Sequence, residues 1–170
     1  MAVEICVWLP AKVTNITTGE VSNNIGHASI LIGANYLSFW PREVSFDITA
    51  ALPVESVFNT YKDDVKDEGG PPDHSVKLQN LDENAMQVFY QRMIAVKPPY
   101  YGRGFNCAGP VKVALYLGSG GKSPNFKVFA SRAIYPLPEI INPKIDEWAR
   151  ECWTPNDVNR YAGYLKKVIG

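Results

Sequence analysis

The chain holds three cysteines, Cys6, Cys107 and Cys152, and two histidines, His27 and His74. The chemistry within their reach is that of a thiolate that attacks an acyl carbon while an imidazole takes and returns its proton. No CxxC spacing occurs, and one thiol is left over from any pairing, which argues against a disulfide framework and a structural zinc site. The expectation is a site with neither metal nor cofactor.

Cys107 is the better-placed thiol. It stands in Tyr100-Tyr-Gly-Arg-Gly-Phe-Asn-Cys-Ala-Gly-Pro110, a loop rich in glycine and aromatics. Val111, Ala114, Leu115 and the stop at Gly118 predict a helix after it, with Asn106 as a good N-cap and Pro110 tolerated in the first turn. A thiol there sits in the positive end of the helix macrodipole, which favours the thiolate. The same helix start offers backbone N–H groups, on Cys107 or just beyond it, to an oxyanion. Cys107, Val111 and Ala114 or Leu115 share a helical face, so the thiol is expected to point toward the sheet.

His27 is the better base, because it lies in an apolar strand where an imidazole is easily held in one orientation. Gly26 to Gly33 followed by Tyr36 to Pro41, with a short Gly/Asn turn between them, has the pattern of an antiparallel hairpin. A tip near Gly33-Ala34 places Ser38 within one or two pairs of His27, where its hydroxyl could orient the imidazole. His74 follows Gly69-Gly-Pro-Pro-Asp73 and reads as a surface position. Each residue also has a plainer reading: a cysteine near a helix start is commonly a small hydrophobe, and a strand histidine is commonly structural. Tyr101, Arg103, Phe105 and Asn106 are the candidate substrate-binding residues; aromatics in this loop could instead pack on the core, and Arg103 could be a solvated loop arginine.

The elements that must position these groups follow from pattern. At 170 residues with 46% hydrophobic composition, the chain can bury a core and fits one domain over 1–170. Residues 2 to 9 read as a strand stopped by Pro10, and Thr14 to Asn24 as a loop or irregular hairpin. Ser45 to Ile48 suggests a strand, and Val54 to Tyr61 a helical turn. The charged run Lys62 to Pro72 reads as a solvated surface loop, lacking the spaced ligands of a calcium loop. Ser75 to Leu78 reads as a strand. Asp82-Glu83 opens a helix through Ala85, Met86, Phe89, Tyr90, Met93 and Val96, stopped by Pro98-Pro99. Phe126 to Ile134 reads as strand or loop, and Pro143 to Cys152 as a further Pro-punctuated segment. Thr154-Pro-Asn-Asp157 has the cap, the N1 proline and the N3 acid of a last amphipathic helix. The sum is an α+β fold: a small antiparallel sheet carrying the hairpin, packed on the Cys107 helix, with two helices flanking it.

Seventeen basic and seventeen acidic residues cancel, with no basic stripe interleaved with aromatics, so no nucleic-acid partner is expected. No apolar run approaches a membrane span, and Met1 to Pro10 has no basic signal-peptide start, which together predict synthesis as a soluble cytoplasmic chain.

Asn24-Ile-Gly-His-Ala-Ser-Ile, Tyr36-Leu-Ser-Phe-Trp-Pro41 and Asn106-Cys-Ala-Gly-Pro-Val-Lys-Val-Ala-Leu115 together resemble the circularly permuted, NlpC-like branch of the papain-like fold, in which the His strand precedes the Cys helix. The resemblance covers about residues 24 to 118. It implies Cys107 as nucleophile, His27 as base and Ser38 as the polar third residue, a place that other members give to His, Asp, Glu or Asn. The chain looks most like a type VI secretion effector, made without a signal peptide and delivered into a target cell. The implied substrate is the amide of a peptidoglycan stem peptide, with an immunity protein as a further partner to seek. Other members act on lipid acyl groups, and a non-enzymatic binding module on the same fold is the bland alternative.

Overall fold

The computed structural model describes residues 3–14, 21–42, 52–102, 104–122 and 152–170. The strands suggested at Ser45 to Ile48 and Phe126 to Ile134 lie outside these residues, as do Arg103 and most of Pro143 to Cys152.

The architecture is α+β. Strands β1 (Val3–Trp8), β4 (His27–Ile32), β5 (Asn35–Pro41), β6 (Ser56–Phe58) and β7 (His74–Leu78) form one antiparallel sheet in the order β6-β5-β4-β1-β7. A separate hairpin, β2 (Ala11–Thr14) with β3 (Val21–Asn24), leads from β1 into β4. The helices are α1 (Tyr61–Asp67), α2 (Glu83–Val96), α3 (Ala108–Gly118) and α4 (Pro155–Ile169).

Alternation along the strands gives the sheet two unlike faces. Val3, Ile5, Val7, Ala28, Ile30, Ile32, Leu37 and Phe39 are buried on one of them. There they join Met86, Phe89 and Met93 of α2, Val111, Ala114 and Leu115 of α3, and Val158, Tyr161 and Leu165 of α4 in a continuous core. The opposite face carries Cys6, Trp8, His27, Ser29, Tyr36, Ser38 and Trp40, in a register that pairs Trp8 with His27, Cys6 with Ser29 and Ser29 with Ser38. Polar groups on that face need partners, and α1 covers them.

Two expectations are corrected here. Val54 to Tyr61 is not a helical turn: the β-branched and aromatic Ser56-Val-Phe58 pairs with β5 as an edge strand. Lys62 to Pro72 is not a solvated loop throughout, because α1 starts within it, nucleated by a capping box. Thr60 accepts from the Asp63 N–H, and the Asp63 carboxylate accepts from the Thr60 N–H in return. Helices α2 and α4 begin where expected: Asp82 caps α2, and Thr154 with Asp157 forms a capping box on α4 with Pro155 at its first position. Among the described residues no helix is long and apolar enough to cross a membrane.

Candidate active site

His27 opens β4, and Gly26 sets its position. Gly26 has φ +79°, and a Cβ there would collide with the Trp8 carbonyl and the following backbone, so only glycine lets β4 begin this close to the end of β1. The imidazole that results is almost wholly buried, at 1% exposure. Its Nε2 lies 2.9 Å from Ser38 Oγ and 3.3 Å from Asp64 Oδ2. The hairpin register, with Ser29 opposite Ser38, brings Ser38 onto the His27 face.

Asp64 is the residue that sequence reasoning missed. It lies in α1 with no exposed surface, and its carboxylate is saturated with donors. Ser38 Oγ donates to Oδ1 at 2.8 Å, Trp40 Nε1 to Oδ1 at 2.8 Å, and Tyr36 Oη to Oδ2 at 2.6 Å. Burial alone would raise the Asp64 pKa, but the His27 hydrogen bond and charge, joined by the Tyr36 and Ser38 hydroxyls, hold it below the ordinary carboxylate value. Trp40 also donates to Ser38 Oγ at 3.0 Å and lies over the imidazole with ring centroids 4.3 Å apart and planes 24° from parallel. Trp8 closes another side of the ring at 5.7 Å.

These bonds settle the histidine tautomer. An ionised carboxylate only accepts, and a serine hydroxyl has one proton to give. Ser38 gives that proton to Asp64, so it can only accept from His27, and Nε2 therefore carries hydrogen. The lone pair of the neutral ring is on Nδ1. Burial lowers the His27 pKa, but the Asp64 carboxylate and then the Cys107 side chain, as hydrogen-bonding and charge partners, outweigh it and push the group up to about 9.

Cys107 is 4% exposed and immediately precedes α3, as its N-cap residue. The expected cap is displaced by one position: the Asn106 carbonyl oxygen Oδ1 accepts from the Ala108 N–H at 3.0 Å, and the Asn106 main-chain carbonyl takes the Gly109 N–H at 3.1 Å. The amides just beyond Cys107 are therefore occupied. Tyr100 is buried, and that burial and the neighbouring Cys107 thiol hold its hydroxyl pKa well above the ordinary value.

No family model matches the chain, and no curated protein or solved structure matches it either. The site therefore stands on its own geometry.

Of the candidate substrate-binding residues, Phe105 is 1% exposed and packs on Phe39 with centroids 5.4 Å apart, so it belongs to the core. Gly109 makes room for its ring, since a Cβ there would touch it at 2.7 Å. Asn106 is likewise absorbed by structure: its amide nitrogen donates to the Gly102 and Trp153 carbonyls at 3.3 and 3.0 Å and faces the Cys152 sulfur at 3.6 Å. Tyr101 is half-buried and packs against the core. Cys6 and Cys152 are buried free thiols whose pKa values desolvation pushes up to about 12 and about 11. His74 is exposed at the edge of the sheet.

The missing residues left traces in the sequence. Thr60-x-x-Asp63 is a capping-box signature that announces α1. Tyr36, Ser38 and Trp40 alternate along β5, so a polar role for Ser38 implies the same face for both aromatics.

Proposed function

We propose that this chain is a cysteine hydrolase of the permuted papain-like kind, with Cys107 as nucleophile, His27 as base and Asp64, reached directly and through Ser38, as the group that orients and charges the imidazole. The observation that carries the reading is the direction of the ring: Nε2 is committed to Ser38 and Asp64, which leaves Nδ1 as the nitrogen open to a thiol.

In this mechanism Nδ1 takes the Cys107 proton and the sulfur attacks an amide carbonyl carbon. A base raised to about 9 keeps that proton through neutral pH. It then passes the proton to the nitrogen as the carbon–nitrogen bond breaks. Water, activated by the same imidazole, hydrolyses the thioester and restores the thiol. Asp64 stabilises the imidazolium throughout.

The substrate follows from the resemblance of the His27 and Cys107 motifs to bacterial members of that group: an amide of a peptidoglycan stem peptide, cleaved by an effector delivered into a target cell. Incubation of the purified protein with purified sacculi is expected to release new amino groups and peptide fragments, and Cys107→Ser to lower that release at least about a hundredfold. Release of fatty acid from phospholipid vesicles with intact sacculi would replace the amide with a lipid ester. Equal activity of wild type and Cys107→Ser on both substrates would remove the hydrolase reading.

A further inference from the structure

We propose that Trp40 is a positioning residue of this site: its indole N–H fixes the direction of the Ser38 hydroxyl and its flat face fixes the plane of His27, so that the Nδ1 lone pair is held toward Cys107. The inference rests on the Cys107–His27 reading and adds to it a group that reinforces the choice of nitrogen made by Asp64.

A serine oxygen has one proton and two lone pairs. In this site the proton goes to Asp64 Oδ1 at 2.8 Å, one lone pair receives the Trp40 Nε1–H at 3.0 Å, and the other faces His27 Nε2 at 2.9 Å. Without the indole N–H, Asp64 Oδ1 alone holds the hydroxyl proton, and a fraction of the molecules can turn it toward Nε2. That nitrogen then accepts, the ring proton moves to Nδ1, and the base presents a donor to the thiol instead of a lone pair. The same indole N–H also donates to Asp64 Oδ1 at 2.8 Å, so it stabilises the carboxylate in the form that accepts from Ser38. The stacked geometry does the rest: a protonated imidazole lying flat on an indole face is favoured electrostatically and cannot turn out of plane without losing that contact.

Trp8 supplies an internal control. It also abuts His27, at 5.7 Å and a 43° tilt, but its Nε1–H goes to the Gly70 carbonyl at 2.8 Å, away from the site. Removing an indole N–H from Trp8 changes packing beside His27 without changing the Ser38 hydroxyl. Trp40 alone of the two combines the stack with bonds to both polar partners of the ring.

The experiment compares wild type, Trp40→Phe, Trp8→Phe and His27→Ala by two readouts: the pH dependence of iodoacetamide labelling of Cys107, read by peptide mass spectrometry, and the ring nitrogen shifts of His27 in nitrogen-15-labelled protein above pH 9. Wild type is expected to show the Nε2–H tautomer. Trp40→Phe is expected to show mixed tautomers, labelling about tenfold slower at pH 7, and a pH midpoint moved upward. Trp8→Phe is expected to keep the wild-type tautomer and midpoint. A Trp40→Phe protein with the wild-type tautomer and midpoint, while His27→Ala differs from wild type, overturns the role of Trp40 alone. Wild type and His27→Ala that label alike overturn the underlying reading instead. Should Trp40→Phe fail to fold, the wild-type spectrum still decides, because an Nδ1–H tautomer contradicts the proposed bonding.

Discussion

A carboxylate with no exposed surface carries the electrostatics of this site. Asp64 faces the imidazole at 3.3 Å and collects the Tyr36, Ser38 and Trp40 donors, so its charge is both desolvated and satisfied. Asp64→Asn keeps the volume and removes the charge, leaving burial opposed by Cys107 without the carboxylate. The imidazole, now at about 9, is then expected to titrate well below 9 in a proton–nitrogen NMR titration. The loss of charged hydrogen bonds is expected to cost about 1.5–3 kcal/mol in urea unfolding. A His27 that still titrates near 9 in this variant would show that Asp64 is not the group that raises it. The nearness of Ser38 to His27 was legible in the sequence because a hairpin brings the two strands together, whereas the face it takes is set by the register. Asp64 was not, because an acid in a charged run looks solvated until the element around it is known, and its partner lies 26 residues away.

Two hairpin-like constraints and one short helix do the positioning. The Gly33-Ala34 turn aligns β4 with β5, Gly26 lets β4 start against β1, and the capping box on Thr60 holds α1 over the polar face. The first and last of these have sequence signatures. The edge strand β6 had too short a run to be told from a helical turn by pattern alone. The two capping boxes allow a test of what α1 does. Thr60→Ala and Thr154→Ala each remove the cap of one helix, at a cost of about 1 kcal/mol apiece in urea unfolding. Only the first loosens the element that bears Asp64, so Thr60→Ala is expected to slow Cys107 labelling at pH 7 while Thr154→Ala leaves it at the wild-type rate. Equal effects of the two would reduce α1 to a stabilising cover.

At the scale of the whole molecule, one sheet serves two purposes. Its apolar face is buried under α2, α3 and α4, a pattern that alternation in β1, β4 and β5 and the helical periodicities of α2 and α4 announce in advance. Its polar face holds a buried network that nothing in the periodicity required, only the choice of residues at His27, Ser29, Tyr36, Ser38 and Trp40. Cys107 stands at the start of the α3 helical layer and His27 is the first residue of strand β4, and the proposed reading makes the first the nucleophile and the second the base. The α+β architecture was readable because it depends on patterns within each segment. The site was readable only in part, because it depends on which segments close over one another. The central claim is the coupling of Cys107 to His27, and the rate of iodoacetamide labelling of Cys107 across pH 5 to 10, in wild type and in His27→Ala, tests it most directly. The account predicts that losing His27 slows labelling at neutral pH by about tenfold or more and moves the midpoint upward. Identical profiles for the two proteins would contradict it.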